Sequence, residues 1–143
     1  MHQHLPTIAT VMTPFPETIE GDRSLQDAHD LMTSRQIRHL VVTRQHDVSG
    51  VISERDIEAA QAHFGKGSDR ELLVDDICPV HTFTADIHDP LEEILEVMAS
   101  KRLGTAVILK NGELAGILTA SDACKHFAKL LRELKSDPPP VVA

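Results

Sequence analysis

The stretch Gly50–Ile57, GVISERDI, returns as GILTASDA at Gly116–Ala123. In each, a short apolar run ends on a hydroxyl residue, Ser53 or Thr119, and an aspartate follows three positions later, Asp56 or Asp122. The separation is 116 − 50 = 66 residues, and the same offset continues upstream without insertion or deletion. It pairs Val11 with Ile77, Thr18 with Thr84, Leu25 with Leu91, Met32 with Met98, Ser34 with Ser100, Ile37 with Leu103 and Val42 with Ile108; downstream it pairs Ala62 with Ala128. Self-similarity at a fixed period marks a duplicated structural unit, here about 60 residues long.

Both copies share one order of periodicities. SLQDAHDLMTSRQ places Leu25, Ala28, Leu31 and Met32 on one helical face, and the second copy does the same with Leu91, Ile94, Leu95 and Met98. Ser24 and Asp89-Pro90 are suitable cap and first-turn residues for these helices. Two apolar runs joined by a polar turn follow, LVVTRQHDVSGVIS and AVILKNGELAGILT, and Asn111-Gly112 predicts a two-residue hairpin. A second helix closes each copy: RDIEAAQAHF, broken at GKGSD, and SDACKHFAKLLRELK, with Cys124, Phe127, Leu130, Leu131 and Leu134 on one stripe. DPPPVVA then stops it. The expected fold is α/β (α+β), two tandem β-α-β-β-α repeats at 8–64 and 74–134, with a linker at 65–73 and an extended Pro-rich tail at 135–143. One such repeat cannot close a core well alone, so the two should pack about a pseudo-twofold, leaving a cleft with two related pockets.

Composition narrows the partners. With 143 residues, 41% of them hydrophobic, the chain can bury one ordinary core. Its 14 Lys and Arg against 22 Asp and Glu give a formal charge of −8, which opposes broad binding to nucleic acid or anionic lipid, and the absence of Trp and Tyr leaves few stacking platforms. No run approaches the roughly 18 to 20 apolar residues that span a bilayer, the N-terminus lacks the basic-then-apolar order of a signal peptide, and the two thiols have no paired spacing. The chain therefore reads as cytoplasmic. Cys78 and Cys124 sit in apolar contexts and read as buried packing. His29, His46, His63, His88 and His126 read as solvated surface groups rather than metal ligands, and His2 and His4 as a disordered terminus.

The Ser/Thr-x-x-Asp pattern permits two readings that spacing does not separate. The aspartate can accept from the two hydroxyls of a ribose while the hydroxyl and the free helix-start N–H groups face an anion. The same spacing is a capping box, in which both side chains satisfy backbone donors at a helix start; Ser24 to Asp27 has it too, and Asp89 with Glu92 nearly so. No nucleophile with a base, and no metal set with an open position, stands out as a catalytic constellation.

Taken together, MTP, SLQDA, IRHL and GVISERDI in the first copy, and KRLGTAVIL with NGELAGILTASDA in the second, resemble a tandem cystathionine β-synthase (CBS) domain pair over residues 8 to 132. The resemblance implies a stand-alone regulatory module, not an enzyme. It needs no cofactor and binds an adenosine-containing ligand between the repeats: AMP, ADP or ATP first, S-adenosylmethionine or NAD second. It further implies a homodimer that signals to a downstream protein. The family's ribose aspartate falls on Asp56 and Asp122, its hydroxyl on Ser53 and Thr119, and the apolar residue before it on Val51 and Ile117. By the same resemblance the Asp122 pocket draws on Glu17, Thr18, Ile37 and Arg38, and the Asp56 pocket on Thr82, Phe83, Leu103 and Gly104. Copy one carries Arg38 and His39 where copy two has Gly104 and Thr105, so a phosphorylated ligand is expected with Asp122. The alternative is a ligand-free scaffold that acts through dimerisation or protein contacts alone.

Overall fold

The computed structural model describes residues 5–64, 71–79 and 82–136. The chain runs α1 (Ile8–Val11), β1 (Thr13–Pro14), β2 (Thr18–Glu20), α2 (Leu25–Arg35), β3 (His39–Arg44), β4 (Asp47–Ser53) and α3 (Glu54–Phe64). It continues with α4 (Val74–Ile77), β5 (Thr84–Asp86), α5 (Leu91–Ser100), β6 (Thr105–Lys110), β7 (Glu113–Thr119) and α6 (Ala120–Ser136). The GKGSD break, most of the 65–73 linker, His2, His4 and the tail beyond Ser136 lie outside the described residues.

The duplicated sequence produces duplicated local structure. Ser24 caps α2 by accepting from the Asp27 N–H at 3.0 Å, as its position predicts. At the other end Gln36 is left-handed and Ile37 N–H donates to Met32 C=O; Arg102 and the Leu103-to-Met98 bond repeat this at the end of α5. The start of α5 differs from expectation. Pro90 is the N-cap, not a first-turn residue, and Asp89 accepts from the Asp86 N–H at 2.9 Å, closing the preceding turn instead of capping the helix. The hairpin at Asn111-Gly112 has both central residues at positive φ, 53° and 79°, and Gln45-His46 makes the same turn without glycine, at 52° and 71°.

Each repeat builds a sheet in which a parallel pair, β2–β3 or β5–β6, continues into an antiparallel pair, β3–β4 or β6–β7. Leu25, Ala28, Met32, Leu40, Ile52 and Ile57 fill one core; Ala85, Ile94, Met98, Ala106, Ile108 and Leu118 fill the other. A third cluster joins the sheets. It consists of Val41, Val51, Val107 and Ile117, two pairs of repeat-equivalent residues, as a pseudo-twofold through the interface requires.

The entry segments, however, are exchanged between the repeats. Ile8 and Val11 of α1 lie in the second core, and β1 pairs with β7, Thr13 opposite Ile117 and Pro14 opposite Gly116. Reciprocally, Val74 of α4 lies in the first core with Leu72, Ile77 and Cys78 packed against it. The glycine that opens each quoted motif makes room for this crossing. A Cβ on Gly116 would stand 2.5 Å from Met12 Sδ and 2.9 Å from the Thr13 carbonyl oxygen, and one on Gly50 would stand 2.5 Å from Cys78 Sγ.

Candidate functional site

Ser53 ends β4 and Thr119 ends β7, and each leads directly into a helix, so both quoted motifs sit at strand-to-helix junctions. The capping boxes are complete. Asp56 N–H donates to Ser53 Oγ at 3.1 Å and Ser53 N–H to Asp56 Oδ2 at 2.8 Å; Asp122 N–H donates to Thr119 Oγ1 and Thr119 N–H to Asp122 Oδ2, both at 3.0 Å. Asp122 Oδ2 also receives Thr13 Oγ1 at 3.5 Å, from the exchanged entry segment. Among the described residues these bonds engage only Oδ2 of each carboxylate.

The two junctions border one cavity of about 700 Å³, within the range of small-molecule sites. Its lining combines Arg38, His39, Val51, Ser53, Asp56 and the first turn of α3 from the first repeat with Gly104, Thr105 and Thr119–Ser121 from the second. The pairing of Arg38 with Gly104 is structural as well as sequential: Arg38 C=O accepts the Glu54 N–H and Gly104 C=O accepts the Ala120 N–H, both at 2.9 Å. The half-buried His39 imidazole is held below its ordinary value of 6.5 by burial, opposed by the charges of Asp122 and then Asp56 and reinforced by Arg38. It thus feels the charges of aspartates from both repeats.

Not all of the expected residues converge there. Arg38 and His39, expected beside Asp122, share the cavity with Ser53 and Asp56, and Asp122 stands one turn into α6 outside its lining. Ile117 belongs to the cluster joining the sheets. Ile37 packs on the first core, and Phe83 and Leu103 on the second. Thr82 Oγ1 donates to Ser49 C=O at 3.2 Å. Glu17 C=O accepts the Val41 N–H, and its carboxylate lies 3.8 Å from Arg35.

Thr18 lines a different and larger cleft, about 1270 Å³, at the hairpin ends of the sheets. That cleft presents Glu20, Asp27, Asp30, Asp47 and Glu113 against Arg23 and an exposed His46, and so repels a phosphate. The smaller cavity sets Arg38 and Arg55 against Glu54, Asp56 and Glu58, a much less acidic balance. Glu54, Arg55, Glu58, Pro79, Thr105, Ala120 and Ser121 also line it, outside the expected set. Arg55 and Ser121 share one repeat position inside the Ser/Thr-x-x-Asp spacing, and that position was the available signal.

Cys124 is exposed, contrary to its expected burial, because the face of α6 that carries it has no covering element among the described residues. Cys78 is half-buried, and burial pushes its thiol up, away from reactivity. Among the described residues no group of His, Cys, Asp and Glu could hold a metal ion, and no helix is long and apolar enough to cross a membrane.

The model of the CBS domain matches the chain twice, at residues 8–63 and 74–129. The chain is 22% identical over 116 residues to the CBS domain-containing protein YhcV of Bacillus subtilis, covering 81% of each. It is 27% identical over 106 residues, 73% of its length, to inosine-5′-monophosphate dehydrogenase of Thermoplasma acidophilum, of which it spans only 20%. Among solved structures it resembles the acetoin utilization protein AcuB of Vibrio cholerae, with a TM-score of 0.75 and 24% identity over 95% of this chain and 100% of that one. The CBS domain pair of protein MJ0100, solved with 5′-methylthioadenosine and S-adenosyl-L-methionine, has a TM-score of 0.76 at 18% identity over 89% of this chain and 99% of that one. CBSX2, solved with AMP, has 0.69 at 19% over 88% and 98%.

Proposed function

The chain belongs to the CBS-domain family, as two tandem CBS domains, and from that premise we propose that it is a regulatory module sensing an adenine nucleotide of the AMP, ADP or ATP class. The observation that carries this reading is the convergence of both Ser/Thr-x-x-Asp junctions on one cavity around Arg38 and His39. The ligand's phosphate lies on Arg38, with His39 taking up a proton as it binds. Its ribose lies on the carboxylate of Asp122, which is outside the cavity lining but capped onto Thr119, a residue of that lining; Asp56 is the corresponding carboxylate of a second site that takes a less charged adenosyl ligand or stays empty. Val51 and Ile117 form apolar wall. Related pairs solved with AMP and with adenosyl compounds support this ligand class. The module is a cytoplasmic homodimer without catalytic activity; bound ligand favours one arrangement of the repeats, which a downstream protein reads.

Thermal unfolding with AMP, ADP, ATP, S-adenosylmethionine and NAD in turn tests the proposal. A ligand at 100 times its Kd adds about 2.7 kcal/mol, seen as a rise of several degrees. The expected rise occurs with a phosphorylated adenosine, disappears in Asp122→Ala and persists in Asp56→Ala. The complete capping boxes favour a second reading, a ligand-free scaffold. Under that reading no ligand raises the melting temperature at millimolar concentration, and Asp122→Ala costs only the roughly 0.5–2 kcal/mol of a lost cap.

A further inference from the structure

Two strands connect the nucleotide cavity to the larger cleft. β4 and β7 run from Asp47 and Glu113, which line the cleft, to Ser53 and Thr119, which line the cavity. Their length sets the two openings about 20 Å apart, at opposite ends of the same sheets. Between them lies the cluster of Val41, Val51, Val107 and Ile117 that joins the repeats. A tilt of one repeat on the other about this cluster narrows one opening as it widens the other.

The cleft is built across the repeats. Thr18 and Thr84, Asp47 and Glu113, and Val48 and Leu114 are repeat-equivalent pairs in its lining. Val48, Leu109 and Leu114, which pack against the joining cluster but remain only half-buried, give it an apolar surface. Around that surface stand Glu20, Asp27, Asp30, Asp47 and Glu113 against one guanidinium, that of Arg23, which already lies 3.0 Å from Asp27. At about 1270 Å³ the cleft exceeds the roughly 300–1,000 Å³ of small-molecule sites. Its size, apolar surface and acidic surround together match a peptide that is apolar on one face and basic on the other.

We infer that a basic amphipathic helix of the downstream protein docks in this cleft, its apolar side chains on Val48, Leu109 and Leu114 and its Lys or Arg side chains on the carboxylates. The inference names the chemistry of the partner in the regulatory reading above and rests on that reading. Such a helix touches both repeats at once, so its affinity follows their relative tilt, which nucleotide at the other end of the strands sets. A nucleotide that draws the cavity walls together parts the cleft and releases the helix.

The probe is a fluorescein-labelled helical peptide of leucine and lysine, with leucines at i, i+3, i+4 and i+7, titrated with the full chain and read by anisotropy. Saturable binding is expected, weakened about tenfold by Asp30→Lys and likewise by Glu113→Lys, each replacing an exposed carboxylate of a different repeat. Should either variant misfold, Asp30→Asn with Glu113→Gln removes the charges without reversing them and is expected to weaken binding in the same direction. Glu92→Lys, at an exposed position of α5 outside the cleft lining, changes the net charge by the same amount and should leave the affinity nearly unchanged. Saturating AMP should weaken the peptide about fivefold or more. No saturable binding, equal loss in Glu92→Lys and Glu113→Lys, or a Kd indifferent to AMP in a chain that calorimetry shows to bind AMP would each overturn the inference; so would spermine occupying the cleft as tightly as the peptide, which assigns it to a small polycation. Peptide binding that the cleft variants weaken, in a chain that gives no heat with AMP, supports the cleft and counts against the nucleotide reading alone.

Discussion

At Gly116 the missing side chain decides whether two repeats can interlock. A methyl group there would press on Met12 Sδ and on the carbonyl of Thr13, and the carbonyl cannot swing aside because Thr13 and Pro14 are paired with β7. Gly116→Ala should therefore cost about 1–3 kcal/mol in urea unfolding, the range for overpacking a close contact. Gly104 is the opposite case, since a Cβ there meets nothing within 4 Å. Gly104→Arg, which gives the second repeat the guanidinium of the first, should fold normally and tighten binding of a phosphorylated adenosine, measured by calorimetry. The chemistry of the motif residues was legible in the sequence, because Ser53, Asp56, Thr119 and Asp122 repeat at one offset. What the glycines accommodate was not legible, because Met12 and Thr13 reach Gly116 from more than 100 positions away.

Among the elements, hairpins and helix ends show the clearest division between what local sequence determines and what packing overrides. Asn111-Gly112 announces its turn, whereas Gln45-His46 adopts positive φ angles without glycine, between strands that repeat the register of the second hairpin. His46 is at φ 71° with a fully exposed side chain, and its Nδ1 lies 4.0 Å from Glu20 Oε1. A left-handed non-glycine residue costs about 1–2 kcal/mol, and glycine gives back part of that through the entropy of the unfolded chain. His46→Gly should thus stabilise by about 0.5–1 kcal/mol, read as a higher urea midpoint with unchanged slope. The α6 stripe was visible as a period, but its exposure was not, because periodicity shows that a face is apolar and not whether anything covers it.

For the whole molecule, the duplicated order of helices and strands followed from the repeat, while the exchange of α1 and α4 between the cores did not. A sequential unit and a spatial unit coincide only when each entry segment stays with its own copy. The exchange also brings Thr13 to Asp122 and Pro79 to the wall of the cavity, so the site depends on both repeats being assembled. His39 should report on that assembly. Its folded-state affinity for protons is depressed below the ordinary 6.5, so below that pH the unfolded chain binds a proton that the folded one refuses. Stability contributed here is present above about pH 6.5 and declines as pH falls towards the lowered value; His39→Asn should flatten this decline in thermal melts between pH 7.5 and 5. Phosphate bound beside the imidazole should reverse the trend, so that affinity rises on acidification.

The most direct test of the nucleotide site is a calorimetric comparison of AMP and unphosphorylated adenosine binding to the wild-type chain and to Arg38→Ala at pH 7. The expected result is saturable binding of AMP that Arg38→Ala weakens by about 10- to 100-fold, the loss of a charge-assisted hydrogen bond of about 1.5–3 kcal/mol, with adenosine affinity nearly unchanged. Equal AMP affinity in the two proteins, or no heat from either compound at millimolar concentration, would contradict it.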